Sequence, residues 1–141
     1  MELITALSRE IGDKARVSEN YVRKFLRSRD CHVILALEKG KPIGILSYSI
    51  RPSLYHAAPS LYIEDLFVKR EHREMGAASA LLRRASELAK KVRCIEISVS
   101  TGFWNRRAIG LYRKHGLRDR SLLLEAHLKS GTTGGSRRRQ K

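Results

Sequence analysis

The chain has 141 residues, 42% of them apolar, which is enough for one domain with a real core and too few for a second functional module. Its net charge of +15 favours anionic partners, whether nucleotide phosphates, nucleic acid or an acidic protein, and bears on association rather than on fold. The longest apolar runs, such as Val33 to Leu37, fall far short of the roughly 20 residues of a membrane span, and the opening Met-Glu-Leu-Ile-Thr lacks a signal-peptide pattern. A cytoplasmic protein with no membrane partner is therefore expected.

In chain order, Leu3, Ile4, Leu7 and Ile11 recur at helical spacing before Gly12. Ser18 then caps a second short helix whose buried face is Val22, Phe25 and Leu26. His32 to Glu38 and Pro42 to Ile50 are strand-like runs joined by Lys39-Gly40, which predicts a hairpin. Pro52 and Pro59 bracket a loop that holds Tyr55 and His56.

Leu61 to Val68 reads as a third strand. A long helix follows, with Ala78, Leu81, Leu82, Ala85, Leu88, Ala89 and Val92 on its apolar face. Cys94 to Ser100 is a further strand with Ile95, Ile97 and Val99 alternating. Trp104 to His115 is helical, with Ala108, Leu111 and Tyr112 on one side and Gly116 as its stop. A last strand fits Ser121 to Leu128. The order implies a mixed α/β fold with a parallel strand-helix-strand crossover, as a single domain over 1–129. Residues 130–141, Gly-rich then basic, are expected to form a disordered tail.

Metal and serine-nucleophile chemistry find no support in the spacing. Cys31 and Cys94 are far apart and read as buried free thiols, the histidines at 32, 56, 72, 115 and 127 never fall at ligand spacing, and no Gly-x-Ser-x-Gly turn is present, so no metal is expected. Only Asn20, Asn105 and Gln140 carry side-chain amides, a thermophile-like composition.

The stretch Arg73-Glu74-Met75-Gly76-Ala77-Ala78-Ser79 places small residues at the first turn of the long helix, where unpaired backbone N–H groups and the helix dipole attract phosphate. Here the sequence resembles the GNAT N-acetyltransferase superfamily, whose pyrophosphate loop reads Gln/Arg-x-x-Gly-x-Gly/Ala. Leu61-Tyr62-Ile63-Glu64-Asp65-Leu66-Phe67-Val68 resembles the strand before that loop in the diamine (spermidine/spermine) acetyltransferase branch. Trp104-Asn105-Arg106-Arg107-Ala108 and Leu111-Tyr112-Arg113 resemble that branch's later elements.

The resemblance implies acetyl-CoA as cosubstrate and a primary amine, on a small molecule or a protein, as acceptor. Residues 73 to 79 and Ala108 would hold the cofactor, with backbone groups of Leu66, Phe67 and Val68 along the pantetheine arm and Asn105 against it. Tyr112 would protonate the departing thiolate, and Glu64 would bind the amine or relay its proton. Strand alternation puts Glu64, rather than Asp65, on the face of Leu66 and Val68. Asp65 and Tyr55 are expected to join Glu64 in substrate binding, with Glu10, Asp13 or Glu19 as further acids of the patch.

Two departures from the family pattern stand out. Glu74 occupies a usual glycine position and opposes the charge of a pyrophosphate. The family's first strand is expected to be missing or vestigial, and its C-terminal strands to be compressed into one segment. A homodimer is implied by resemblance alone. The charge suggests an acidic or ribonucleoprotein partner, and a rival reading is a catalytically weak acetyl-CoA-binding or nucleic-acid-associated regulator, prompted by Arg83-Arg84, Arg106-Arg107 and Arg137 to Arg139.

Overall fold

The computed structural model describes residues 1–12 and 17–128. Asp13 and the basic tail lie outside the described residues. Helices α1 (Glu2–Glu10) and α2 (Glu19–Arg27) come first, the second capped by the Ser18 hydroxyl, which accepts from the Tyr21 N–H. Strands β1 (Cys31–Glu38) and β2 (Lys41–Arg51) form the expected hairpin. Lys39 and Gly40 both have positive φ, as a tight two-residue hairpin turn requires. Strand β3 (Ser60–Val68) leads through a short 3-10 turn at Arg70–His72 into α3 (Ala77–Lys91), then β4 (Glu96–Val99) and α4 (Arg106–Lys114).

The sheet runs β1-β2-β3-β4, with β1, β2 and β3 antiparallel and β3 parallel to β4. Helix α3 covers one face, where Leu46, Tyr48, Leu61, Ile63, Val68, Leu81, Leu82, Ala85, Ala89 and Tyr112 make the main core. Helix α1 covers the other face, where Leu3 meets Ile45 and Phe67. Gly44 is needed for this closeness: a Cβ there would stand 3.2 Å from the Phe67 carbonyl and 3.3 Å from Leu81.

Several sequence expectations are corrected. Helix α2 buries no residue, and Leu26 is exposed because the helix packs mainly along β1 and leaves that side to solvent. Val92 lies past the last turn of α3 and Ile95 precedes β4, so both are exposed. Trp104 precedes α4, which Asn105 caps. Cys31 and Cys94 are free but only half-buried. Residues 121–128 form no strand: they alternate in the right period, yet Leu122, Leu124 and Leu128 are 84%, 82% and 85% exposed and pair with no strand among the described residues.

Leu46 lies between β3 and α3 with no exposed surface. Leu46→Ala is expected to lower the unfolding free energy by about 2–5 kcal/mol, read as a fall in the urea midpoint with an unchanged m-value.

Candidate active site

Strand β3 carries one more residue than β2 at a single point: Ser47 faces Asp65, whereas Tyr48 faces Ile63. Glu64 is the extra residue, and a bulge of this kind turns two successive side chains to one side of the sheet. Leu61 and Ile63 pack towards α3 before the bulge, and Leu66 and Val68 do so after it. Glu64 and Asp65 both point the other way, towards the α1 face. There the Ser49 hydroxyl donates to Glu64 Oε1 at 2.6 Å and the Ser47 hydroxyl donates to Asp65. The expectation that Glu64 shares a face with Leu66 and Val68 is thus overturned, because strict alternation fails at the bulge.

The same place is where β3 and β4 part. Their parallel ladder extends from Ser60 opposite Glu96 to Ile63 opposite Val99 and ends there. From Glu64 onwards the outer edge of β3 has no strand beside it among the described residues. The Lys69 N–H donates to the Ile43 carbonyl, so by alternation Phe67 directs its backbone to β2 while Leu66 and Val68 direct theirs into the fork. Of the three expected pantetheine partners, Leu66 and Val68 therefore offer backbone groups to a ligand and Phe67 does not. The Val68 carbonyl already accepts from Arg73 Nε at 2.9 Å.

Arg73 is mostly buried. Its second nitrogen donates to Glu10 on α1 and its guanidinium lies 5.6 Å from the Phe67 ring centre, so its side chain ties the loop to β3 and α1. The loop then turns through left-handed residues, Glu74 at φ 64° and Gly76 at φ 88°, into α3. Ala80 makes the first helical bond, to the Gly76 carbonyl, which leaves the N–H groups of Ala77, Ala78 and Ser79 aimed out of the helix with no side-chain cap. Nothing stands within 4 Å of where a Gly76 Cβ would be. This open, dipole-assisted nest is suited to a pyrophosphate. Met75 is exposed beside it, and the exposed Glu74 carboxylate meets Arg107 at 3.5 Å.

Helix α4 lies alongside this loop, held by Arg107 to Glu74 at one end and by His115 Nε2 to the Ser79 hydroxyl, 3.0 Å, at the other. Burial, then Arg83 and Lys114, push the His115 pKa down, which keeps it neutral near pH 7. Asn105 Oδ1 accepts from the Ala108 N–H, so the Asn105 amide group remains free to donate, and Ala108 packs on the core.

Tyr112 is 9% exposed on the α3 side, and burial raises its pKa above 10.0. Its hydroxyl has no hydrogen bond among the described residues. Since no buried polar side-chain atom among the described residues lacks a partner, the hydroxyl belongs to the part of Tyr112 that solvent reaches.

The remaining acceptor-side expectations fare unevenly. Tyr55 is 92% exposed in the loop before β3, and its ring contact is with His56, away from the bulge. A hollow of about 540 Å³ lined by Pro52, Leu54 and Pro59 lies in that same loop, at the far end of β3 from the phosphate nest. Glu10 is bound to Arg73 and Glu19 to Arg23. A residue that sequence reasoning missed takes their place: Arg51, which bonds Glu64 at 3.0 Å and lies over the Tyr62 ring. The only prior signal was the polar series Ser47, Ser49, Arg51 along one face of β2.

Comparison with known proteins accords with this geometry. The family model described as "Acetyltransferase (GNAT) family" matches residues 2–117. The chain is 27% identical over 119 residues to the thialysine N-epsilon-acetyltransferase of Sus scrofa, covering 78% of this chain and 70% of that protein. It is 28% identical to the structure of an aminoglycoside acetyltransferase from an uncultured soil metagenomic sample, with a TM-score of 0.73 over 91% of this chain and 84% of the other. A second such soil enzyme, solved with trehalose, is 21% identical with a TM-score of 0.81 over 90% and 86% of the two chains, which is a likeness of fold. With its phosphate nest, forked sheet and buried tyrosine, the chain belongs to the GNAT superfamily, in its spermidine/spermine acetyltransferase-like branch, and is an acetyl-CoA-dependent N-acetyltransferase.

Proposed function

We propose that acetyl-CoA and a primary amine bind together and that the amine attacks the thioester directly across the fork. The observation that carries this reading is the bulge at Glu64. It directs the carboxylates to the α1 side at the point where β3 loses its neighbour, while Tyr112 lies on the α3 side. Cofactor and amine then reach the reacting carbon from opposite faces, with no need for a covalent enzyme intermediate.

In this reading the pyrophosphate rests on the N–H groups of Ala77, Ala78 and Ser79, and the pantetheine arm runs along the edge offered by Leu66 and Val68. An N–H of that edge polarises the acetyl carbonyl and stabilises the oxyanion. Glu64 takes the ammonium proton, directly or through water, by its second carboxylate oxygen. The nitrogen lone pair forms the C–N bond, the tetrahedral intermediate collapses with loss of the C–S bond, the Tyr112 hydroxyl gives its proton to the thiolate, and the nitrogen releases its second proton to water as the neutral amide forms, Tyr112 being reprotonated from solvent. Burial raises the pKa of that phenol, which favours its protonated, proton-donating form. The relatives' activity on the ε-amine of thialysine supports an amine acceptor. The regulatory alternative gains little from its arginine pairs, since Arg84 is engaged by Glu87 and Arg107 by Glu74.

Tyr112→Phe is expected to retain acetyl-CoA binding and lower kcat by about 100-fold or more; unchanged turnover would remove Tyr112 from the mechanism. Glu64→Gln should lower kcat/KM near pH 7 by about 100-fold. That defect should shrink as pH approaches the amine's own pKa, near 10.4 for a lysine-like amine, and a defect of constant size would argue against proton removal. Glu74→Gly takes a negative charge and a left-handed non-glycine residue out of the loop. It should lower the KM for acetyl-CoA by about two- to fivefold, measured by initial rates at saturating amine.

A further inference from the structure

His115, the residue that ends α4, places its Nε2 3.0 Å from the Ser79 hydroxyl. Ser79 stands in the first turn of α3, and its N–H is one of the three that the nest presents. Both residues are half-buried. Burial disfavours a proton on this imidazole, and so do the two charges that act on it, Arg83 on α3 and Lys114 on α4. Its Nδ1 makes no hydrogen bond among the described residues, so no protein group competes for a proton there.

The Ser79 hydroxyl has a single hydrogen to give. In the free protein a neutral imidazole can accept it at Nε2. A pyrophosphate on the nest competes for that hydrogen, because a bond from a hydroxyl to an anionic oxygen is charge-assisted. Once Ser79 donates to the phosphate, Nε2 must carry a hydrogen of its own for the contact between α4 and α3 to survive. The ligand's negative charge also offsets Arg83 and Lys114, which favours the imidazolium, a donor at both nitrogens.

We propose that His115 is a positioning residue for the cofactor: it takes up one proton from solvent as acetyl-CoA binds and, as imidazolium, holds the Ser79 hydroxyl with its hydrogen directed at the pyrophosphate. The inference rests on the assignment of the open first turn of α3 to that pyrophosphate. The proton returns to solvent when coenzyme A leaves. Because His115 holds its proton more tightly in the complex, the cofactor binds more strongly at low pH. The gain is complete below the free protein's titration midpoint and vanishes as pH rises through that of the complex.

The test follows the His115 ring Hε1 signal by NMR between about pH 5 and about pH 8, in the full chain, free and saturated with 3′-dephospho-CoA. That probe keeps the pyrophosphate and lacks the phosphomonoester, whose own second ionisation at about pH 6 would mask the effect. The His115 midpoint is expected to rise by about one pH unit on saturation. The dissociation constant should fall by up to about tenfold from the top of that range to the bottom. His115→Gln can still bond Ser79 but does not titrate, and its affinity should vary by less than about twofold over the same range. Ser79→Ala should lose most of the rise at His115.

A His115 midpoint that saturation leaves in place overturns the proposal. So does a rise confined to His72, the other histidine beside the loop, which pairs with Glu38. A full rise in Ser79→Ala, or wild-type pH dependence in His115→Gln, has the same consequence; should either variant not fold, the wild-type titration alone decides. Failure of coenzyme A itself to bind at any pH would instead refute the pyrophosphate site on which the proposal rests.

Discussion

The single inserted residue in β3 is the constraint on which the site depends. Without it, two-residue periodicity would place Asp65 with Ile63, and Leu66 and Val68 would leave the α3 core for the opposite face. With it, both halves of the strand keep their apolar side chains under α3 while two acids emerge together on the other side. The bulge is held by hydrogen bonds: Ser47 and Ser49 are buried residues of β2 whose hydroxyls have Asp65 and Glu64 as acceptors. Buried hydroxyls left unpaired would cost about 1–3 kcal/mol each, so the register and the polar cluster support each other.

The fork follows from the same irregularity. A bulge increases local twist, and the β3–β4 ladder ends at the residue before it. At the end of this open edge Arg73 returns to cap the Val68 carbonyl and joins α1 through Glu10. Helix α4 is fastened to that loop by Arg107 and to the first turn of α3 by His115. The helix bearing Tyr112 is thus joined to the loop and to the first turn of α3 by these two contacts.

Much of this fold is legible from periodicity. Helices α1, α3 and α4 and the β1–β2 hairpin follow from apolar spacing and glycine stops, because those signals act within a few residues. The open first turn of α3 was visible for the same reason: Gly76, Ala77 and Ala78 are adjacent in sequence and in space. Glu64 could be singled out, but not its direction, since alternation assumes a regular strand and the bulge depends on cross-strand hydrogen bonds. Arg51 was missed because its role arises only once Ser49 and Glu64, 15 positions apart, are brought together by that shifted register. Residues 121–128 show the converse failure. Their alternation is that of a strand, but alternation does not supply a neighbour, and without one the leucines stay exposed.

Two electrostatic ranges operate in this molecule, and they favour different things. Several carboxylates are paired with a cation, Glu2 with Lys69, Glu10 with Arg73, Glu38 with His72, Glu64 with Arg51 and Glu74 with Arg107, while Asp65 accepts from the Ser47 hydroxyl. The excess lysines and arginines therefore define the field seen from a distance, which draws an anionic nucleotide such as coenzyme A and hinders a polycation. That field is screened beyond about 8–10 Å in physiological salt, so it governs arrival more than residence. At contact range the Glu64–Arg51 pair takes over, presenting both signs within one hydrogen bond's length.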